Sequence, residues 1–407
     1  MPSPNSYWLI SAPLEGSGPH ELHSQVTHTL LNSSGSSSGI VPSCISPPID
    51  LPPLRVGTLA SLINLSETLP KSDASAQAIL GKIRETLSSL LNDDPAQLAQ
   101  HTLVKEGTVD DYVLGGWSWN GGKYRVEQDL PDLVAGLERE VQSIDGVMKQ
   151  KLQNYNVAKG QLQQLQRKKT GNLSVRSLAD VVHKDDFVSG DSEFLETLLV
   201  AVPRNNVKEW LTKYERLTQL VVPRSSKKLS EDDEYALFNV TVFKKVKDEF
   251  AQKARESRFQ VREFRWEDDV VEKSRQELDD AGTSEKELWS ELLRLSRTNF
   301  SECYQVLVHI KLVRLFVESV LRYGLPADYY AVAIKPNPKK VKGLTTALSS
   351  YFASLEGRST RSKKQNGKGK AKDSGNGEVP GEYASLLEEE LLPFVSIEVP
   401  LGVGGEE

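Results

Sequence analysis

Residues 129–170 carry one narrow apolar stripe, in which apolar side chains recur at intervals of three and four. Its members are Leu130, Leu133, Leu137, Val141, Ile144, Met148, Leu152, Tyr155, Ala158, Leu162 and Leu165. The pattern predicts one long helix, with Asp129 as N-cap, Pro131 in the first turn and Gly171 as a left-handed C-cap. At about 1.5 Å per residue the helix spans on the order of 60 Å, so its other faces must meet solvent.

A second stripe of the same kind lies nearer the C-terminus. Its members are Leu288, Leu292, Leu295, Cys303, Val306, Ile310, Val313, Val317 and Val320. A capping-box pattern at 284–287 suggests where the helix starts, although the charged run from Glu267 can extend it, and the Gly-Leu-Pro sequence at 324–326 ends it. We expect the two helices to pair antiparallel, because each then covers the narrow stripe of the other.

The spacing of apolar residues changes in the segment between the two stripes, residues 171–266. Strand patterns fall at 194–203, 236–244 and 259–266, and helix patterns fall at 207–217 and 246–258. This alternation predicts a small α/β unit at the far end of the helical pair.

Both ends of the chain are expected to build one domain. Residues 7–12 and 394–399 are short strand patterns, and each needs a sheet partner that the other can supply. Apolar spacings of three and four predict two amphipathic helices within 56–91. Two segments, 15–48 and 358–382, are rich in Ser, Gly or Lys and cannot bury enough apolar surface to offset chain entropy, so we predict disordered insertions there.

These patterns predict an α+β, predominantly helical fold. A chain of 407 residues exceeds the roughly 250 to 300 residues at which a single core stops growing, so we expect at least two structural units. We expect an elongated dumbbell, in which a long antiparallel helical neck joins an α/β head to an α/β foot formed by both termini. The segments are the N-terminal part of the foot (1–128), neck helix 1 (129–170), the head (171–266), neck helix 2 (267–324) and the C-terminal part of the foot (325–407).

Charge and cysteine content disfavour several classes of protein. Lys and Arg total 50 and Asp and Glu total 56, and the resulting net charge of -6 argues against a protein that coats nucleic acid. Cys44 and Cys303 are too few for a disulfide framework or a four-thiolate zinc site. Because no window approaches about 18 consecutive apolar residues and no signal-type leader is found, we expect a soluble, cytoplasmic protein.

Motifs for catalysis are missing from the sequence. His20, His23 and His28 cluster, but without the i, i+4 spacing of a zinc helix. His309 lies between apolar neighbours, which is typical of a buried structural histidine. The glycines of 115–122 lack the Lys-Ser/Thr ending of a Walker loop and the order of a dinucleotide fingerprint. We therefore expect no catalytic residue, no cofactor and no metal site.

The sequence does offer surfaces for partners. Trp210, Arg224, Lys227 and Lys228 in the predicted head are candidate partner-binding residues, because aromatic and arginine side chains dominate protein interfaces. Trp210 is also typical of a core residue, and the three cations of an ordinary exposed loop. A second basic tract, 358–372, is compatible with binding to acidic lipid, RNA or filaments, or with a solvated linker.

Seven long segments match one known family. They are YWLISAP at 7–13, SLADVV at 177–182, LLVAVP at 198–203, LVVPRSSK at 220–227, FKKVKDEF at 243–250, WSELLRL at 289–295 and FVESVLRYGLP at 316–326. In these segments, which are spread along the chain from residue 7 to residue 326, the sequence resembles the C-subunit of the eukaryotic vacuolar-type proton-pumping ATPase. It departs from the family after Glu15 and after Gly357, where the two low-complexity segments look like insertions.

The resemblance implies the same dumbbell and a non-catalytic stator role. The C-subunits of this family bridge peripheral stalks made of the E- and G-subunits and contact the cytosolic domain of the membrane-sector a-subunit, so that ATP hydrolysis drives rotary proton transport. The resemblance implies that the head binds one E–G stalk firmly and the foot binds a second stalk and the a-subunit more weakly. Release of the C-subunit accompanies reversible separation of the two sectors.

The resemblance also implies where the protein is found and leaves one alternative open. A stator protein of this kind would lie at the cytosolic face of vacuolar or other endomembranes through the pump complex, without direct membrane insertion and without nucleic acid. The alternative is an actin-binding or acidic-surface-binding protein that acts through the basic tract 358–372, since some family members are linked to actin.

Overall fold

The computed structural model describes residues 3–14, 18–32, 44–178, 181–188, 192–264, 270–365 and 392–401. The chain forms two compact units: unit 1 is Met1–Gln150 with Leu293–Glu407, and unit 2 is Lys151–Leu292. Each unit has its own antiparallel sheet surrounded by helices, so the predicted α+β, predominantly helical class is confirmed. Among the described helices, none is long and apolar enough to cross a membrane. The five-segment division of the chain stays a prediction.

Two long helices contribute to both units, and the remaining elements belong to one unit each. The two are α5 (Leu130–Thr170) and α8 (Val270–Tyr323). Unit 1 contains β1 (Ser6–Pro13), α1 (Pro19–Asn32), α2 (Leu59–Leu90), α3 (Pro95–His101), α4 (Val109–Leu114), β6 (Tyr329–Ile334), α9 (Val341–Gln365) and β7 (Val395–Pro400). Unit 2 contains β2 (Leu195–Pro203), α6 (Val207–Lys213), β3 (Lys227–Glu231), β4 (Tyr235–Phe243), α7 (Lys247–Glu256) and β5 (Gln260–Arg262).

The sheet of unit 1 joins the two ends of the chain. Its order is β6-β1-β7, and both pairings are antiparallel. Leu9 of the central strand lies opposite Ala333 on one side and Ile397 on the other. The predicted pairing of 7–12 with 394–399 is therefore confirmed.

One face of this sheet packs against α1 and α9. Strand β1 contributes Trp8, Ile10 and Ala12 to the core. The helices contribute Leu22, Val26 and Leu30 from α1 and Leu344, Leu348 and Phe352 from α9. The core is therefore closed by a helix from each end of the chain.

The prediction of a disordered segment at 15–48 is wrong where α1 forms. Leu22, Val26 and Leu30 recur every fourth residue, so one face of α1 is apolar although the composition around it is polar. Residues 44–49 are also ordered, since Ser46 N donates to Ala333 O (2.9 Å) beside β6. The intervening residues 33–43 lie outside the described part of the chain.

Two further sequence predictions differ from the structure. The two helices predicted within 56–91 form the single helix α2, which continues through Pro70. The segment 358–382, predicted to be disordered, begins inside α9, whose backbone remains helical to Gln365, and its remaining residues lie outside the described ranges.

A glycine follows the last residue of each long helix, but for a different reason in each case. Gly324 has a φ of 81° and its N–H donates to Val320 O (2.9 Å), so it ends α8 as predicted. Gly171 does not adopt the predicted left-handed conformation. A Cβ at Gly171 would lie 2.6 Å from Arg167 O, so close approach to the last turn of α5 is what requires glycine there. The capping-box residues 284–287 lie inside α8, which begins at Val270.

Within unit 2, α5 and α8 lie side by side. The facing pairs are Lys151 with Glu291, Tyr155 with Glu285 and Leu162 with Gly282. From Lys151 to Leu162 on α5, the facing residue on α8 moves back from Glu291 to Gly282, so the two helices run antiparallel, as predicted. Lys151 Nζ lies 2.6 Å from Glu291 Oε1, which places an ion pair beside the apolar seam.

The sheet of unit 2 has the order β3-β4-β2-β5 and is antiparallel throughout. One face packs against α6 and α7 through Val200, Phe238 and Phe250, and the opposite face covers a smaller core around Leu199 and Leu237. Strands β2 and β4 lie where the sequence predicts them. The strand predicted at 259–266 is the short β5, and residues 265–269 lie outside the described ranges.

A buried ion cluster joins α2 to α8 in unit 1. Lys311 Nζ lies 2.7 Å from Asp73 Oδ1, and these two side chains are 2% and 4% exposed. Arg314 Nη1 lies 3.0 Å from Asp73 Oδ2, and Gln77 Nε2 donates to Asp73 Oδ1 (2.8 Å). Burial lowers the pKa of Lys311, whereas the Asp73 carboxylate opposes that shift. The buried carboxylate of α2 and the buried ammonium group of α8 therefore compensate each other's charge.

His309 of α8 lies in an aromatic cage formed by the turn that follows α4. The cage rings are Trp117, Trp119 and Tyr124, with centroids 4.9, 4.9 and 4.7 Å from the imidazole. His309 Nδ1 donates to Gln305 O (2.6 Å), and Nε2 accepts from Asn120 N (3.4 Å), which requires the neutral ring. Burial lowers its pKa from 6.5 to about 4. The expectation of a buried structural histidine is confirmed.

Lys311→Met is expected to lower the free energy of unfolding by about 3 kcal/mol, because Asp73 keeps a buried charge after losing its most buried partner. Denaturant unfolding of the full chain measures the change. Lys335→Met is the matched control: Lys335 pairs with Asp110 in a partly exposed position, where the loss should stay below about 1 kcal/mol. Equal stabilities of Lys311→Met and wild type would contradict the assignment.

His309 should make the protein less stable as the pH falls from 6.5 towards 4. Its pKa in the folded state is lowered, so the unfolded chain takes up the proton first and stability present above pH 6.5 is lost below it. The loss should reach about 2 kcal/mol at pH 5. Thermal unfolding at pH 7 and pH 5 tests this against His309→Gln, in which the difference between the two pH values should shrink. An unchanged pH dependence in that variant would rule out His309 as the cause.

Candidate partner-binding surface

The basic residues predicted in the head lie on one exposed segment of unit 2, residues 223–228, here called the basic loop. Arg224, Lys227 and Lys228 are all exposed, and the side chains of Lys227 and Lys228 are 76% and 46% accessible. The structure brings these three side chains onto one short segment that leads into the edge strand β3. Lys227 and Lys228 are the first residues of that strand, which the sequence analysis did not predict.

A tight turn fixes the position of Arg224. Ser225 N donates to Val222 O (3.3 Å), with Pro223 at the second turn position and Arg224 at the third, where φ is 58°. This pattern is typical of a type II turn. Arg224 N donates to Glu215 Oε1 (2.9 Å), a bond that holds the pKa of Glu215 below its usual range. The guanidinium is therefore presented from a backbone that is held in place.

Side chains from β4 and the loop itself attach the rest of the segment to the sheet. Ser225 Oγ accepts from Thr241 N (3.1 Å), and Asn239 Oδ1 accepts from Lys227 N (2.8 Å). The sequence analysis did not identify Asn239, Thr241 or Glu215 as supports of the loop. Asn239 and Glu215 support the loop with their side chains and Thr241 with its backbone N–H, and no local sequence pattern indicates such bonds to a neighbouring segment.

Trp210 lies beneath this surface and not on it. Its side chain is 0% exposed and packs in the core of unit 2 against Tyr214 and Phe259, with ring centroids 5.6 and 5.2 Å away. Its indole N–H donates to Ser226 Oγ (3.0 Å). The prediction that Trp210 contacts a partner is therefore contradicted by its burial, and its core alternative is the correct one. Trp210 instead ties the basic loop to the core.

The three cations differ in how far nearby carboxylates compensate them. Lys228 forms an ion pair with Glu231, which also pairs with Arg204, and the lysine hydrogen bond lowers the pKa of Glu231. Lys227 Nζ lies 3.9 Å from Asp186 Oδ1, at the limit of an ion pair. Arg224 has no ion pair among the described side chains, and its nearby carboxylate, Glu215, accepts from its backbone N–H. The surface can therefore attract an acidic partner, chiefly through Arg224 and Lys227.

The histidines considered for chemistry do not converge on a catalytic or metal site in the described structure. His23 Nδ1 lies 2.9 Å from Tyr330 OH and helps to dock α1 on β6, while His20 and His28 lie on the same helix. Within the described ranges, no group of three or more His, Cys, Asp or Glu side chains could hold a metal ion. The basic tract 358–372 contributes helical backbone to Gln365, and its later residues lie outside those ranges.

Comparison with known proteins identifies the family. The family model for the V-ATPase C-subunit matches residues 7–395. The chain is 38% identical to the V-type proton ATPase C 1 subunit of Rattus norvegicus over 350 residues, which cover 86% of this chain and 89% of the rat protein. The same coverage relates it to the V-type proton ATPase C 1 subunit of Xenopus laevis at 37% identity and to the C 1-A subunit of Danio rerio at 38%.

One solved structure gives a much weaker similarity. It is the crystal structure of the cytoplasmic N-terminal domain of the V-ATPase I-subunit, a homolog of the a-subunit. The alignment has a TM-score of 0.28 and 14% identity, and it covers 83% of this chain and 95% of that chain. A similarity this low carries no argument about the fold. The family model and the curated relatives, by contrast, confirm the sequence resemblance: the chain belongs to the V-ATPase C-subunit family and has the role of a subunit of the V-type proton pump.

Proposed function

We propose that this chain is a non-catalytic stator subunit of the vacuolar-type proton pump. It bridges peripheral stalks made of the E- and G-subunits and contacts the cytosolic domain of the a-subunit, so that ATP hydrolysis drives rotary proton transport. The observation that carries the proposal is the family match over residues 7–395, which spans both units. Through the pump complex, the protein lies at the cytosolic face of vacuolar or other endomembranes.

The separate cores of the two units support a bridging role. Unit 1 has a core around Trp8 and Tyr330, and unit 2 has a core around Trp210 and Phe250. Each unit can therefore carry a binding surface without relying on the core of the other. A protein that connects two neighbours needs such independent surfaces, because each contact has to survive load on the other.

The basic loop is the surface of unit 2 that we assign to an E–G stalk. Arg224 and Lys227 are exposed, and the backbone around them is held by hydrogen bonds to Glu215 and Asn239. A surface that is ordered before binding loses less conformational entropy when it binds. We assign the weaker contacts, to a second stalk and to the a-subunit, to unit 1. Losing a small interface there gives a route to reversible separation of the two pump sectors.

The alternative function is binding to actin or to an acidic surface through the basic tract 358–372. Seven Lys and Arg residues fall in this tract, which begins on the last part of α9. Such a cluster attracts polyanions without any specific fold. The two functions make different demands on the tract, which is needed for the alternative and dispensable for the stator role.

The triple variant Arg224→Glu, Lys227→Glu, Lys228→Glu should weaken capture of a purified E–G complex by about tenfold or more, because it turns attraction of an acidic partner into repulsion. A pull-down at two salt concentrations measures the loss. The control Lys208→Glu, Lys253→Glu, Arg255→Glu has the same change of net charge on exposed positions of α6 and α7. Equal capture by the two variants would remove the basic loop from the interface.

Deletion of 358–372 should leave E–G capture within about twofold of wild type, since the core residues of α9, Leu344, Leu348 and Phe352, all precede it. Co-sedimentation with actin filaments and with anionic vesicles provides the second measurement. If the deletion abolishes those interactions and also abolishes assembly with the pump, the tract and not the basic loop carries the function.

A further inference from the structure

A shallow groove of about 390 Å³ on unit 1 is lined by three cations and one carboxylate. The cations are Lys105, from the loop between α3 and α4, and Arg294 and Arg297, from α8; we call them the cation strip. The carboxylate is Glu302. Thr298, Ser301 and Gln305 supply hydroxyl and amide groups along the same groove. The lining is therefore positively charged and polar, although the whole chain has a net charge of -6.

The cation strip lacks the ion pairs that some exposed cations of unit 1 have. Lys123 pairs with Glu140 and Lys149 with Asp145. Among the described side chains, by contrast, no carboxylate forms an ion pair with a member of the strip. Arg294 and Arg297 are three residues apart on one helix, where like charges destabilise the helix slightly. An external anion would remove this repulsion.

A strained loop places the third cation on the strip. Lys105 has a φ of 56°, and it lies at the tip of a turn in which Val104 N and Gly107 O are 3.0 Å apart. A non-glycine residue in this conformation costs on the order of 1 kcal/mol. Lys105 N donates to Ser301 Oγ (2.8 Å), which fixes the loop on α8 one turn beyond Arg297. Its ammonium group lies 5.4 Å from the ring centroid of Tyr112.

The spacing of the strip favours an elongated ligand. Arg294 and Ser301, which anchors Lys105, are two helical turns apart, or about 10 Å along α8. A single phosphate spans less than one turn, whereas the three cations are anchored over two turns. Carboxylates at positions i, i+3 or i+4, and i+7 of a helix lie on one face with the same spacing.

We propose that the cation strip binds an acidic helix of a protein partner, with carboxylates at i, i+3 or i+4, and i+7 facing Arg294, Arg297 and Lys105. Thr298 and Gln305 contribute hydrogen bonds along the contact. This interface lies on unit 1 and is separate from the basic loop of unit 2. The proposal rests on the proposed function in one respect: the partner helix belongs to the pump complex that the chain joins.

The test uses the full chain and two labelled synthetic peptides of 20 residues, based on alanine and glutamine. In one peptide the glutamates occupy a single helical face at i, i+3 and i+7, and in the other the same glutamates are spread around the helix. Fluorescence anisotropy should show at least about fivefold tighter binding of the single-face peptide, with an affinity that falls as salt rises. Equal binding of both peptides would overturn the proposal. So would displacement of the single-face peptide by inorganic phosphate at an equal concentration, which indicates a simple anion site.

Arg294→Glu with Arg297→Glu should weaken binding of the single-face peptide about tenfold or more. The matched control is Lys71→Glu with Lys82→Glu, two exposed cations of α2, and it should bind as wild type does. Circular dichroism verifies folding, and Arg294→Gln with Arg297→Gln replaces the reversal if that variant unfolds. Unchanged binding by a folded strip variant would disprove the inference.

The same variants separate this inference from the proposed function. Loss of peptide binding with normal E–G capture by the basic loop supports the cation strip alone. Normal peptide binding by wild type, together with no capture of E–G by the basic loop, would remove the stalk contact and leave the strip in place.

Discussion

Unit 1 depends on the position of β1 in the middle of its sheet. A central strand needs hydrogen-bond partners on both sides, and β1 finds them in β6 and β7, which lie near the other end of the chain. The helices α1 and α9 then close over the same face. Without either neighbouring strand, the polar backbone of a buried strand would lack partners. The whole of α5, unit 2 and α8 is therefore inserted between parts of one sheet.

The elements predicted best from the sequence are those whose period is unambiguous. The stripes of α5 and α8 repeat over many turns. Residues 7–12 and 394–399 are short apolar runs with the pattern of buried strands, which need a neighbouring strand. The elements missed have mixed patterns. Helix α1 carries only Leu22, Val26 and Leu30 on its apolar face, among many polar residues. Strand β3 reads Lys-Lys-Leu-Ser-Glu, without the β-branched and aromatic residues that favour strands.

The candidate site shows the same division between local and long-range information. Exposure of Arg224, Lys227 and Lys228 follows from a polar, proline-containing segment, and the sequence indicates it. The place of Trp210 does not follow, since a tryptophan suits a core as well as an interface, and only its packing against Tyr214 and Phe259 decides. The cation strip joins Lys105 to a helix through Ser301, 196 residues further along the chain. No local pattern predicts such a pair.

The division of the chain into a continuous unit and a discontinuous unit has a consequence for synthesis on the ribosome. Unit 2 is one uninterrupted stretch, Lys151–Leu292, and all of its core residues are available once that stretch has emerged. Unit 1 has to wait for β7, which follows unit 2 along the chain. Translation releases about 5 to 20 residues per second, so β1 waits on the order of 20 to 80 seconds for β7, and the core around Trp8 and Ile10 stays incomplete for that time. Strand β1 thus leaves the ribosome before unit 2 but is completed after it, so its apolar side chains are the ones in most need of chaperone protection.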